Sequence, residues 1–191
     1  MADICNKTSK NVTSRKCPTD GGLNRNSWTF QREQFTGAFS KNGTSGALSG
    51  FTLETGEQGI KGKGRPKRGS GASVLDKGEN GSSEVTQTLI QEYGFGNQME
   101  LDALTEFLKG DAKVVFQELN SGAIRVFFKE FGNETDKGEE GSGETLTSDN
   151  GIMKVTMTGK EPNFPMFFEA PISGQLTQLE SSRAYLDALT L

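Results

Sequence analysis

The side chain that most often acts as a general base in catalysis, histidine, is absent from this chain. A Ser-His-Asp or Cys-His catalytic arrangement is therefore excluded from its 191 residues. Cys5 and Cys17 are the only cysteines, and a structural zinc site needs about four nitrogen or sulfur ligands. A disulfide between the two is geometrically feasible, but in a reducing cytoplasm we expect free thiols. The sequence therefore predicts no enzyme, no metal site and no cofactor.

Four carboxylates are the remaining candidates for catalysis: Glu139, Glu140, Glu144 and Asp149. They lie in the glycine-rich acidic stretch 132–150, where no apolar neighbour in the sequence would raise a carboxyl pKa. The stretch also lacks the Asp-x-Asp-x-Asp-Gly order of an EF-hand calcium loop. We interpret it as a solvated acidic loop.

Residues 55–83 combine glycine with a cluster of positive charge. The basic side chains are Lys61, Lys63, Arg65, Lys67 and Arg68. Neither a Walker A motif nor a Gly-x-Gly-x-x-Gly turn between a strand and a helix occurs here, so nucleotide binding is unsupported. Residues 64–66 resemble the Gly-Arg-Pro core of AT-hook peptides, but the net charge of −4 opposes binding to DNA. We interpret 55–83 as a flexible basic loop that contacts Glu139, Glu140 and Glu144 of an adjacent copy.

Most apolar residues recur with the two-residue period of β-strands. Strands are predicted at 27–39 with a break near Gln34, and at 48–54, 85–93, 112–119, 123–131, 151–158 and 166–170, the last at a sheet edge. Gly122 suits a tight turn between two of these segments, which we expect to form a central hairpin at 112–131.

The strand at 151–158 alternates most regularly. Met153, Val155 and Met157 point to one face. The polar residues of the opposite face are Lys154, Thr156 and Thr158. One face of this strand is therefore expected to be buried and the other to be solvated.

Two segments have helical periodicity. In 98–109, leucines recur on one face between an N-cap at Asn97 and a stop at Gly110. A helix of this length is marginal alone, so we expect its leucine face to pack on the hairpin 112–131. Leucines at helical spacing also predict a helix within 175–191.

Together these segments predict a mainly β fold, an antiparallel β-sandwich or barrel with one packed amphipathic α-helix, long glycine-rich loops and a C-terminal helix. The β-rich domain spans 27–170, between an N-terminal arm at 1–26 and a C-terminal segment at 171–191. The sequence contains no apolar run near 18 residues and no signal-type N-terminus. We expect a soluble protein that is made in the cytoplasm and has no contact with a membrane.

The order of the predicted elements resembles that of bacteriophage major tail or tail-tube proteins. Three segments carry the narrower similarity to tail proteins of phages infecting Bacteroidota: Cys17 with Gly21-Gly22-Leu23, residues 107–115 and residues 151–162. In that family a β-sandwich or barrel with one packed helix forms rings that stack into a tube. The resemblance implies a virion protein that is made in the host cytoplasm, forms sixfold homo-oligomeric rings and contacts other virion proteins. The resemblance also implies that DNA passes through the lumen and contacts the protein only transiently or not at all, and the candidates for the lining of the lumen are Lys154, Thr156 and Thr158.

Two other classes of protein remain open from the sequence. A capsid decoration or head–tail connector protein shares the β-rich, loop-heavy composition, and the stacking of rings distinguishes a tail tube from it. A carbohydrate-binding or adhesin module requires aromatic side chains that stack on sugars, for which Trp28, Tyr93 and Tyr185 are the candidates besides phenylalanine.

Overall fold

The computed structural model describes residues 23–64, 69–77, 82–95, 97–110, 112–142 and 151–190. Two packed β-sheets and two α-helices account for most of this part of the chain, so the mainly β fold predicted from periodicity is confirmed. The predicted arm residues 1–22, together with Cys5 and Cys17, lie outside the described residues.

The strands and helices have the following bounds. The strands are β1 (Leu23–Gln31), β2 (Phe35–Lys41), β3 (Leu48–Leu53), β4 (Ile60–Lys63), β5 (Ser70–Lys77), β6 (Ser83–Phe95), β7 (Lys113–Leu119), β8 (Ile124–Phe127), β9 (Thr135–Ser142), β10 (Gly151–Glu161) and β11 (Met166–Phe168). The helices are α1 (Gln98–Lys109) and α2 (Gln178–Asp187). A single 3-10 turn, Arg32–Gln34, separates β1 from β2 where the sequence predicted a break.

The larger sheet has the strand order β2-β3-β11-β8-β7-β1-β4, and its pairs are antiparallel except β11 with β3. One face carries an aromatic core in which the rings of Phe30 and Phe116 lie 5.2 and 5.0 Å from that of Phe51. Helix α2 covers this face. Leu186 is fully buried in the core, and the Tyr185 hydroxyl donates to the Phe51 carbonyl at 2.7 Å.

The smaller sheet has the order β5-β6-β10-β9, with antiparallel pairing throughout. Its inner face buries Met153, Val155 and Met157 against Val115 and Phe127 of the larger sheet. The buried face predicted for 151–158 is confirmed, since side chains alternate across a strand and the apolar ones gain from burial.

Helix α1 begins at Gln98 because the Asn97 side chain accepts the Glu100 amide at 2.9 Å, as the sequence predicted. Its apolar face packs on the core between the sheets. A Cβ added at Gly138 of β9 would lie 2.4 Å from Leu108, and the ring of Phe107 lies 6.4 Å from that of Tyr93 in β6. The predicted hairpin contributes Val115, Phe127 and Phe128 to this core, and strands β6 and β9, which were not predicted as partners, also contact the helix.

Four other sequence predictions need correction. The segment 55–83 was predicted as a loop and contains β4 and β5, while 132–150 was predicted as an acidic loop and contains β9. These strands form with few apolar side chains because ladder hydrogen bonds to a neighbouring strand satisfy their main-chain groups. Strand β11 lies between β3 and β8, not at an edge. Finally, 23–26 belongs to β1 and not to the predicted arm.

Candidate assembly surfaces

The two sheets end in four strands, β2, β4, β5 and β9. Strand β2 is irregular, because its register with β3 shifts between Thr36 and Ser40 and Gly37 has φ +76°. Strand β4 is short. The main chain immediately before it is already hydrogen-bonded, because the Gly59 amide donates to the Leu189 carbonyl at 2.9 Å. Bulges and short, covered edges prevent pairing with another chain.

Strand β5 has none of these protections among the described residues. It pairs with β6 without a register shift, from Ser70 opposite Ile90 to Lys77 opposite Ser83. The stretch from Ser70 to Leu75 carries no charge, and the side chains of Val74 and Leu75 are 58% and 44% exposed. A regular, uncharged edge of this kind is a template for another strand.

Strand β9, at the other end of the same sheet, is charged. The Lys137 ammonium lies 2.5 Å from one carboxylate oxygen of Glu139, and the Lys154 ammonium lies 3.9 Å from the other oxygen of the same carboxylate. The hydrogen bond and charge of Lys137 hold the pKa of Glu139 below its usual value. The same sheet therefore has one free edge with an uncharged stretch, from Ser70 to Leu75, and one charged free edge.

The outer face of the smaller sheet is mainly polar, although Val74, Ile90 and Ile152 also lie on it. Lys154 is exposed and Thr156 and Thr158 are partly exposed on this face, as the alternation predicted. Thr88 of β6 lies opposite Thr158, and the Lys160 ammonium lies 2.7 Å from a Glu84 carboxylate. This face therefore presents hydroxyls and paired charges to solvent.

Among the described contact residues, the basic ones and the acidic ones lie in different sheets of the subunit. Lys61 lies in β4 of the larger sheet, where its ammonium is 2.6 Å from Asp187 and 5.8 Å from the centre of the Trp28 ring. Lys63 is exposed at the end of the same strand. Glu139 and Glu140 lie in β9 of the smaller sheet. The remaining predicted contact residues, Arg65, Lys67, Arg68 and Glu144, fall outside the described part of the chain.

A groove of about 300 Å³ lies between α1 and β4 and is lined mainly by apolar groups, including Ile60, Leu104 and Phe107. Tyr93 also lines it, and burial raises the pKa of its hydroxyl to about 12, so it stays protonated. Among the described residues, no group of three or more His, Cys, Asp or Glu side chains could hold a metal ion. We find no arrangement of side chains in this groove that could perform catalysis.

The aromatic residues named for sugar binding are engaged in the core. Trp28 and Tyr93 are buried, and Tyr185 is half-buried against Phe51 and Phe168. An aromatic side chain must present a free ring face to stack on a sugar. None of these three side chains is therefore placed to stack on a sugar.

The sequence analysis missed Val74 and Leu75, which make the β5 edge apolar. The available signal was the short run Ala72-Ser73-Val74-Leu75, which interrupts an otherwise glycine-rich and charged segment. Four residues are too few to establish a period against that background.

Comparisons with other proteins identify no relative. No family model, no curated protein and no solved structure matches this chain. Neither described helix is long and apolar enough to span a membrane.

Proposed function

We propose that this protein is a structural subunit of a bacteriophage tail, which assembles into rings that stack to form a tail tube for DNA. One observation carries the proposal: both edges of the smaller sheet, β5 and β9, lack a strand partner among the described residues. One face of this sheet is buried in the subunit and the other is mainly polar. Pairing β5 of one copy with β9 of the next satisfies both edges, and repetition around an axis closes a ring.

The directions of the strands are compatible with this seam. Neighbours in the order β5-β6-β10-β9 are all antiparallel, so β5 and β9 run in opposite directions. Rotation about a ring axis does not change strand direction relative to that axis. Strand β9 of the next copy therefore meets β5 antiparallel and can continue the ladder.

In such a ring the smaller sheets form one continuous barrel. Their buried faces point outward to the larger sheets, and their polar faces point to the axis. The lumen is then lined by the side chains of Lys154, Thr156 and Thr158. Paired charges, together with the net charge of −4, give DNA little to bind as it passes. The sixfold order comes from the family resemblance alone.

The distribution of charge along the chain also supports this seam. Antiparallel pairing sets the second half of β9, with Glu139 and Glu140, beside the start of β5. In the sequence, that start directly follows the basic residues Arg65, Lys67 and Arg68. The basic–acidic contact between copies that the sequence suggested is therefore expected at this seam.

Two adjacent proline substitutions in β5, Ser73→Pro and Val74→Pro, test the proposal. Main-chain groups alternate between the two sides of an antiparallel strand, so one of these residues faces β6 and the other faces the free edge. We expect both variants to lose rings and tubes in sedimentation and negative-stain microscopy. Only the variant whose amide faces β6 should also lower the unfolding midpoint, because it alone loses a hydrogen bond within the subunit.

Val74→Thr is the matched control, because it keeps the amide and the β-branched shape, and it should assemble. Rings that persist in both proline variants would rule out the β5 seam. Wild-type protein that stays monomeric across concentration and salt would instead favour the decoration-protein class.

A further inference from the structure

We propose that Asn42 is a site of self-catalysed deamidation and that the turn between β2 and β3 promotes the reaction. In this modification the side-chain amide becomes a carboxylate, by way of a cyclic succinimide that Asn42 forms with the main-chain nitrogen of Gly43. Water is the other reactant. The inference does not depend on the proposed ring, because it concerns a covalent change within one subunit.

The sequence places the reacting groups next to each other. The nucleophile belongs to Gly43, which has no Cβ to shield its nitrogen. Gly43 and Thr44 are exposed in the turn, so solvent reaches the reacting atoms. A Cβ added at Gly43 would meet no other part of the chain within 4 Å, and the residue does not lie in the left-handed region. The fold therefore does not require a glycine at this position.

Two main-chain amides hold the oxygen on which negative charge develops. Oδ1 of Asn42 accepts hydrogen bonds from the amide of Thr44 at 2.9 Å and from the amide of Ser45 at 3.3 Å. When the Gly43 nitrogen attacks Cγ, this oxygen takes up the negative charge of the tetrahedral intermediate. Amides that already point at such an oxygen stabilise the transition state without reorganisation. The turn therefore supplies a small oxyanion hole for attack on its own asparagine.

The nucleophile and the leaving group are not held by other contacts. Among the described residues, neither the Gly43 amide nor the side-chain nitrogen of Asn42, Nδ2, makes a hydrogen bond. The main chain of the turn is held, because the Asn42 amide donates to the Ala47 carbonyl and the Gly46 amide donates to the Asn42 carbonyl, both at 2.8 Å. Ring closure therefore starts from a restrained turn and costs less conformational entropy than in a free peptide.

The steps balance without an oxidant or a reductant. The Gly43 nitrogen gives its proton to water and bonds to Cγ of Asn42, and the bond from Cγ to Nδ2 then breaks, so that ammonia leaves with a proton from solvent. Water opens the succinimide in one of two ways. Cleavage of the bond between Cγ and the Gly43 nitrogen gives aspartate. Cleavage of the bond between the main-chain carbonyl carbon and that nitrogen gives isoaspartate, in which the main chain passes through the side chain and is one carbon longer.

The isoaspartate product is expected to loosen the hairpin. The extra carbon changes the spacing of the Asn42 groups that pair with Ala47 and Gly46. Ala47 and Leu48, which follow the turn, are buried, and Leu48 lies beside Phe168 of β11. Isoaspartate at this position should therefore lower the unfolding midpoint, whereas aspartate leaves the main chain and the acceptor oxygen in place.

Mass spectrometry of the full-length protein tests the proposal. The protein and a synthetic peptide of residues 37–49 are incubated in the same mildly alkaline buffer. A protease that cleaves after glutamate then releases the fragment 34–54 from the protein, in which Asn42 is the only asparagine. The mass gained when the side-chain NH2 is replaced by OH measures deamidation. We expect the folded protein to react at least as fast as the peptide. A folded protein that reacts more slowly overturns the proposal, because the hydrogen bonds at Oδ1 then restrain the side chain.

Two variants test the chemistry. Thr44→Pro removes the nearer donor to Oδ1 and should slow the reaction in the protein about tenfold. An unchanged rate in folded Thr44→Pro overturns the oxyanion hole, and if this variant does not fold, the comparison of protein with peptide decides alone. Gly43→Ala shields the nucleophile and should slow the reaction in both protein and peptide, with the unfolding midpoint unchanged. A rate that Gly43→Ala leaves as it was would overturn the succinimide route.

A third variant, Asn42→Asp, tests the consequence for stability. Its unfolding midpoint should equal that of fresh wild-type protein, because the main chain of the turn is unchanged. Wild-type protein that has been aged until an isoaspartyl methyltransferase labels the fragment 34–54 should unfold at a lower midpoint than either. Equal midpoints for the fresh and the labelled protein would contradict the loosening of the hairpin.

Discussion

Leu186 is the fully buried apolar residue that anchors α2 on the larger sheet. It is fully buried in the aromatic core, whereas Leu176, just before the helix, is largely exposed. We predict that Leu186→Ala lowers the free energy of unfolding by about 2–5 kcal/mol, because the truncation leaves a cavity. Leu176→Ala should change it by less than about 0.5 kcal/mol. Urea denaturation followed by circular dichroism checks both, and similar losses would contradict this role of Leu186.

A buried carboxylate provides a second test at the scale of single residues. Glu118 of β7 is fully buried and accepts hydrogen bonds from Arg183 of α2, 3.1 Å from its Nε, and from Asn26 at 2.8 Å. Arg183→Met should cost about 3 kcal/mol of stability, because it leaves the Glu118 charge without its cation. Arg183→Lys keeps the charge but not the two-pronged geometry, so an intermediate loss is expected in the same denaturation assay.

At the scale of elements, the docking of α2 should depend on pH through Asp187. Burial opposes ionisation of this carboxyl, but hydrogen bonds from Lys61 and Trp28, with the charges of Lys61 and Arg183, outweigh it and lower its pKa below 3.8. A lowered folded-state pKa means that the stabilisation is complete above pH 3.8 and is lost as the pH falls through the folded value.

The corresponding variant is Asp187→Asn, which cannot ionise and loses the ion pair with Lys61. We expect its stability to fall below that of the wild type at pH 7, and the difference to shrink as the pH is lowered below 3.8. Urea midpoints at several pH values measure this. A difference that stays constant down to pH 2 would show that the charge of Asp187 does not hold the helix.

The elements that could be predicted from sequence are those with strong local signals. Asn97 and the leucines of α1 predict that helix, and the alternation from Met153 to Thr158 predicts β10. Strands β4, β5 and β9 were not predicted, because their side chains show little hydrophobic periodicity. Main-chain pairing stabilises them, with β1, β6 and β10 respectively. The central position of β11 depends on Phe168 meeting Leu48 across a parallel pair, which no local signal in the sequence encodes.

For the whole molecule, the proposed seam predicts assembly that depends on salt. Opposite charges at the seam attract over a screening length of about 10 Å at 0.1 M salt and about 3 Å at 1 M. We expect Glu139→Lys to reduce ring formation at the lower salt concentration, with a smaller effect at the higher one. Glu33→Lys makes the same change in net charge at an exposed site in the turn before β2 and serves as the control. Sedimentation velocity measures the assembled fraction, and equal losses in both variants would contradict a specific seam.

The candidate assembly surfaces were only partly accessible from the sequence. The polar face of β10 follows from alternation, and the acidic character of β9 follows from composition. That β9 and β5 form opposite ends of one sheet depends on β6 and β10 pairing between them. The spacing of Val74, Leu75 and Glu139 in the sequence does not indicate this long-range arrangement.

The buried side chain of Trp28 can report on the state of the protein through its intrinsic fluorescence. The chain has one tryptophan, whose side chain is fully buried and whose indole N–H donates to Asp187 at 2.6 Å. Its emission therefore arises from a single site, at the contact between β1 and α2. Assembly that leaves α2 in place should preserve a short-wavelength emission maximum, whereas release of the helix should shift that maximum to the red before the sheets unfold.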